Sequence, residues 1–529
     1  MLTLLRGGRV IDPANGIDEV RDLWFQDDRI IEPAPGQQPA HTYDASGLIV
    51  LAGGIDIHSH IASAAVTVAR LLVSELRENG DGAPTPISTR IGQLYAAMGF
   101  TLVVEPAVLP HQAVQAHAEL SAIPLIDKAM LVVLGNEDYL LRLLRAGESE
   151  AAIAAYAART LAGSRAIGLK CINPGGSAAF KENARAFSLD DEVPSYGVSS
   201  RRIMQALQQT AHNLGIPHPL HLHCNNLGLP GNVDTALATI AASDGLPLHL
   251  AHLQFYAYGS EGKRGFSSAA SQLAEAVNAA ANITADVGQV MFGQTVTISC
   301  DILRQFGGRH AAHPHKWAIS DTEGNGFGIV PYRYRRTSSI NAIQWAAGLE
   351  LFLLIRDPWR VFFTTDHPNG APFTAYPDLL ALLMSRDMRA QWIQELPAAA
   401  MALTTLPSIT REYNWTEIAI MTRAAPARLL GLTDRGHLAP GARADIAAYR
   451  PEQDRAAMVR GTALVFKDGE LIIRDGQPLT DRPGRTLAVS PPAADDTKVA
   501  AYYHDTYGVS RNVFDVPDWI GTFEPVPCR

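Results

Sequence analysis

Between Leu51 and about residue 380, eight short apolar runs alternate with Ala- and Leu-rich stretches of helical period, and this alternation constrains the chain more than any other feature. The runs are LAGGIDIHSH, FTLVVEPA, KAMLVVLG, AIGLKCINPGG, PHPLHLHCNN, LPLHLAHLQF, ITADVGQVMF and RVFFTTDHPNG. Stretches between them, such as SEAAIAAYAARTLAG and RRIMQALQQTAHNLG, end on glycine, which accepts the left-handed backbone of a helix C-cap. Eight strand-then-helix units predict an α/β fold, a (β/α)8 TIM barrel, rather than an open sheet. Residues of about 292–359 separate the seventh and eighth runs and are too many for an ordinary helix connection. This insertion is rich in His, Arg, Gly and Tyr (RQFGGRHAAHPHKW, then GIVPYRYRR) and is expected to form a lid or a docking surface.

The flanks read differently. Residues 1–50 are short strands broken by turns. After the barrel, taken as 51–400, residues 401–482 pass through TEIAIMTRAAPARLLGL and return to strand-and-turn character. Pairing the two flanks predicts a small β-sandwich built from both termini. The tail, 483–529, is rich in Pro, Asp and Tyr with little periodicity. It is expected to add no barrel strand and to contact a partner chain.

Composition narrows the function. With 47% hydrophobic and 18% charged residues the chain is globular, and disorder is excluded. A net charge of −9 without blocks of like charge argues for no nucleic acid and no membrane surface as partner. Cys171, Cys224, Cys300 and Cys528 lie far apart, which excludes a zinc knuckle or an iron–sulfur cluster held by this chain alone. The start lacks a long apolar segment and no apolar run approaches ~20 residues, so a cytoplasmic protein is expected.

The chemistry-bearing residues sit at strand ends. His58 and His60 close the first run with one residue between them, so both imidazoles leave the same face. In a barrel that face is the active-site mouth, where the pair makes a metal chelate. Lys170 ends the fourth run; a desolvated ammonium tends to lose its proton, and a neutral amine beside metal ions can take up CO2 as a bridging carbamate. On the fifth run His221 and His223 share a face. On the sixth, His249 and His252 are oddly spaced, so only one of them is expected to face the axis. Position favours His223 and His252 as ligands, with His221 one layer deeper and His249 directed outward or packed. Asp366, closing the eighth run, supplies a carboxylate as ligand and proton shuttle; by itself it also reads as a turn or cap residue before Pro368 and Gly370.

Two His on the first strand, Lys on the fourth, single His on the fifth and sixth and Asp on the eighth resemble the amidohydrolase superfamily, in its binuclear branch with a carboxylated lysine. PARLLGLTDRGHLAPGARADIAAY is similar to the superfamily's return to its small β domain. Within it, GGIDIHSHIAS, GLKCINPGG, HLHCNNLG, HLQFYAYG, GIVPY and TTDHPNGAPFTAYP resemble the A subunits of formylmethanofuran dehydrogenase and of the bacterial formyltransferase/hydrolase complex. Hydantoinases carry an acidic residue soon after the fifth-strand histidine, where this chain has Cys224-Asn225-Asn226.

The resemblance implies two zinc ions per chain bridged by N6-carboxylysine at Lys170. His58, His60 and Asp366 would hold one, and His223 and His252 the other. It implies hydrolysis of a formylated methanofuran-type substrate to formate and free amine, with the other subunits of the complex as partners and with Asn225, Gln254, Tyr258, His367 and Asn369 around the substrate. The alternatives are the archaeal-type dehydrogenase subunit running the reverse condensation, a stand-alone dihydropyrimidinase-like amidase and a non-catalytic scaffold within the complex.

Overall fold

A computed structural model describes residues 1–73, 87–184, 187–299, 313 and 328–529. Eight parallel strands follow one another in space in chain order: β1 Gly54–Asp56, β2 Phe100–Val108, β3 Asp127–Val133, β4 Gly168–Ile172, β5 Leu220–His223, β6 Leu248–Leu250, β7 Ile283–Asp286 and β8 Val361–Phe362. The chain beyond β8 returns to the chain beyond β1. Ser59 and His367 form a parallel bridge, His60 N donates to His367 O at 2.8 Å, and Thr364 Oγ1 donates to His58 O at 2.6 Å. The sheet is thus a closed (β/α)8 barrel. β3, β4 and β5 are buried at every position, so the charged and imidazole side chains they carry, Asp127, Lys128, Lys170, His221 and His223, are buried with them.

The long connection before β8 divides in two. Gly293–Ser299 and Gly328–Tyr334 pair as an antiparallel hairpin, and Ser339–Leu354 is a helix buried at nearly every position, the ordinary outer-layer helix of its β/α unit. The insertion proper is therefore shorter than its sequence suggested. Of the basic stretch RQFGGRHAAHPHKW, only His313 lies within the described residues.

Both termini feed one nine-stranded sheet, joined where Ile49–Ala52 runs antiparallel to Ile446–Tyr449. Its strands are hydrogen-bonded into one continuous sheet. Its edge strand Arg29–Ile31 folds back onto the segment entering Ile446–Tyr449, with Ile30 N donating to Ala442 O and Gly441 N to Ile30 O, both at 2.8 Å. It encloses its own core of Leu5, Val10, Phe25, Val50, Ile446 and Phe466.

The tail does contribute to the barrel sheet, contrary to expectation. Thr486–Ser490 pairs in parallel with the start of β3, and Phe523–Pro527 pairs with Thr486–Ser490. β3 bonds β4 only from Leu131 onward, so the stagger of the barrel leaves Lys128 and Ala129 open to a strand supplied from elsewhere. Short-period sequence patterns carry no trace of a pairing between residues so far apart in the chain. The tail keeps Tyr507, Val513 and Trp519 exposed at 52%, 59% and 82%. Among the described residues no helix is long and apolar enough to cross a membrane.

Candidate active site

His58, His60, Lys170, His223, His252 and Asp366 all line one cavity at the C-terminal end of the barrel strands. Lys170, His221 and His249 lie side by side in register across β4, β5 and β6, so all three point inward at one level. Side-chain length separates them: the lysine reaches the cavity, while the two imidazoles remain in the layer below.

Asp366 ties the mouth together. Its Oδ1 lies 3.1 Å from His58 Nε2 and 3.3 Å from His60 Nε2, and accepts from Asn369 Nδ2 at 3.1 Å. Burial favours the neutral acid, yet the imidazoles of His58 and His252 hold this carboxyl well below the usual range. On the other side, His252 Nε2 lies 3.0 Å from His223 Nδ1. Burial pushes His252 down to about 3 and His223 well below 6.5, so both rings are neutral, the form that ligates metal. His60 goes the other way. Against the effect of burial, Glu105 and Asp366 raise it to about 9.

His249 and His252 both face inward despite their odd spacing. β6 ends at Leu250, and His252 takes a left-handed backbone (φ 33°, ψ 55°). The turn brings its ring inward although His249, three residues earlier, also faces in. His249 is neither outward nor idle: its Nε2 lies 3.1 Å from Asp286 Oδ2 and its Nδ1 2.9 Å from Thr284 Oγ1. The turn needs room opposite. A Cβ on Gly288, itself at φ +65°, would stand 2.4 Å from His252 Cβ.

Of the five residues suggested around the substrate, Asn369 lines the cavity. The other four are not among the cavity's lining residues and are engaged elsewhere. Asn225 accepts from Ser200 Oγ at 3.0 Å and donates to Asn173 Oδ1 at 2.9 Å. Gln254 donates to the Tyr258 hydroxyl and accepts from Val290 N at 3.1 Å. His367 Nδ1 accepts from Phe373 N at 3.2 Å, and burial lowers this imidazole to about 3.

Two carboxylates of the site escape a reading based on strand ends and metal-ligand spacing. Asp286 at the end of β7 meets His58 Nδ1 at 2.9 Å, and Glu105 in β2 meets His60 Nδ1 at 3.0 Å, both wholly buried. Each is visible as the lone acid in an otherwise apolar strand run, ITADVGQVMF and FTLVVEPA, a costly placement that asks for a buried partner. The hairpin belongs to the segment expected to form a lid or a docking surface; it walls the cavity with Thr297, Ile298 and Tyr334. Ile298 N donates to Asn369 Oδ1 at 2.6 Å, which fixes the wall to the Asp366 turn.

An amidohydrolase family model matches residues 41–479. The chain is 48% identical over its full length to the full-length A subunit of the formyltransferase/hydrolase complex Fhc from Methylorubrum extorquens. It is 36% identical to protein FwdA of Methanocaldococcus jannaschii, over 93% of this chain and 92% of that one. It superposes with a TM-score of 0.95 and 49% identity, over all of both chains, on a chain of the crystal structure of the M. extorquens FhcABCD complex with methylofuran. On fold, strand-end residues and full-length likeness alike, the chain belongs to the amidohydrolase family.

Proposed function

We propose that this chain is the hydrolytic subunit of a cytoplasmic formyltransferase/hydrolase complex, cleaving the linear C–N bond of an N-formylated methanofuran-type carrier such as methylofuran to formate and free amine. The observation that carries the reading is the convergence of six ligand-type side chains from five strand ends on one cavity, with Asp366 against both first-strand histidines. The full-length likeness to the A subunit of Fhc supports the carrier and the partner subunits.

The donor set fits two divalent metal ions. His58, His252 and Asp366 have ligand atoms within 4.8 Å of one another, and His252 Nδ1 is a buried ring nitrogen without a hydrogen-bond partner among the described residues. His58, His60 and Asp366 would hold one ion, His223 and His252 the other. Lys170, carboxylated at Nζ by CO2 with loss of a proton, would serve both. Nitrogen and carboxylate donors suit zinc. When bound, such ions supply a water of lowered pKa and polarise a carbonyl.

The protein's own groups do the rest. Asp366 receives the proton released as water adds to the formyl carbon and delivers it to the amine nitrogen as the C–N bond breaks. Asn369, donating to Asp366 Oδ1, holds the carboxylate in the pose for both transfers. Val66, Leu227, Phe255 and Ile298 offer apolar walls to the carrier next to its formyl group and limit water at the site. The relationship to FwdA favours a second reading, in which the same groups run the reverse condensation.

Elemental analysis and formate release test the proposal together. About two zinc ions per chain and formate release from the formylated carrier by the assembled complex are expected. Well under one equivalent of metal in active protein would overturn the metal assignment. Preference for hydantoin or dihydrouracil would replace the substrate assignment with cyclic-amide hydrolysis.

A further inference from the structure

Beneath the cavity, one carboxylate reaches both halves of the site. Asp286 Oδ2 meets His58 Nδ1 at 2.9 Å and His249 Nε2 at 3.1 Å, while its Oδ1 accepts the backbone N–H of His252 at 2.7 Å. The first contact sets the His58 ring so that Nε2 turns to Asp366. The last holds His252 in its left-handed conformation at the end of β6, a backbone that a non-glycine residue adopts only under constraint. Glu105 differs: it meets His60 Nδ1 at 3.0 Å and spends its other oxygen on the N–H groups of Ile61 and Ala62 at 2.6 and 2.8 Å. Its reach stops at one side.

We propose that Asp286 is the positioning residue that couples the two metal half-sites, orienting a ligand side chain of one and the ligand backbone of the other, whereas Glu105 positions a single ligand of the first. A carboxylate placed behind a ligating histidine fixes its tautomer and ring orientation. Here the same carboxylate also fixes a neighbouring ligand's φ and ψ, so its loss disturbs both half-sites at once.

The inference rests on the ligand assignment proposed above, and zinc titration of the metal-free full-length chain against a competing chelator separates the two. Wild-type protein that takes up no zinc would defeat the ligand assignment itself. Given two wild-type equivalents, Asp286→Ala, which removes both oxygens, is expected to weaken both by about 10- to 100-fold, and Glu105→Gln to weaken one equivalent only. An Asp286→Ala protein that keeps wild-type affinity, or loses one equivalent only, overturns the proposal. Asp286→Ser, which leaves room for water, is the second variant should the alanine prevent folding. If neither variant folds as a metal-free chain, Asp286 serves the barrel rather than the ligands, and the proposal is likewise overturned.

Discussion

Two buried charge clusters sit at opposite ends of the barrel strands, each around a lysine, and they solve opposite problems. At the N-terminal end, Lys467 Nζ lies 3.0 Å from Asp127, 3.1 Å from Asp445 and 3.2 Å from Asp468. Arg435 joins Asp127 to Glu524 of the tail, and Arg443 joins Glu524, Asp434 and Asp468. Barrel, terminal sheet and tail meet in this network, where opposite charges compensate one another and the lysine stays an ammonium. At the C-terminal end, Lys170 stands among the imidazoles of His58, His221, His223 and His252; burial holds His221, His223 and His252 below the ordinary imidazole value, whereas Asp286 and Asp366 raise His58 against it. Compensated charge holds parts together; neutral nitrogen donors are what a metal centre requires.

Removal of the lysine at the C-terminal end is expected to have the largest effect. Lys170→Ala is expected to lose metal and activity together while the metal-free chain unfolds near the wild-type temperature. Short carboxylic acids should restore part of the activity by standing in for the carbamate. Elemental analysis, turnover and thermal melts read the three effects separately.

Asp366→Asn keeps size and one ligand oxygen but cannot carry a proton. It is expected to retain much of the zinc and lose at least ~10² in turnover. Near wild-type turnover with full zinc would move the shuttle role to another group.

At the other end the expected signs reverse. Lys467→Met leaves three buried carboxylates facing each other and should cost about 3–5 kcal/mol in chemical denaturation, with zinc per folded chain unchanged. Truncation before Pro483 removes the strand paired with β3 and takes Glu524 from the same network. It should lower stability and metal content in parallel; loss of complex assembly alone would show that the tail is dispensable to the fold.

The smallest effect is on pH dependence. Burial raises Asp127 and Asp468, but Lys467 with Arg435 around the first, and Lys467 with Arg485 around the second, bring both below the usual carboxylate range. A carboxyl held low in the folded state stabilises it above the unfolded pKa of ~3.9, and that contribution fades as pH falls through the lower folded value. Metal-free protein should therefore lose stability as pH drops below ~4, and Lys467→Met should flatten that slope. An unchanged slope would mean that the cluster is not compensated as described.

Strand alternation and residue type at strand ends were enough to bring His58, His60, Lys170, His223 and Asp366 to one cavity, because barrel geometry converts a position along each strand into a height along one axis. A closed barrel of eight strands follows from the same periodicity. Other features depend on contacts between residues far apart in the chain, and no local pattern encodes them. His252 faces inward because the backbone turns left-handed against Gly288 and Asp286. Asn225, Gln254 and Tyr258 follow the site histidines closely in sequence, and only folding brings Asn225 to Ser200 and Asn173 and Gln254 to Tyr258 and Val290. The tail completes the barrel sheet because strand stagger leaves the start of β3 open. Asp286 reaches both His58 and the backbone of His252 because β7 pairs directly with β6 and closure of the barrel brings the chain beyond β1 within reach. Periodicity specifies which way a side chain leaves its strand, and tertiary packing decides what it meets.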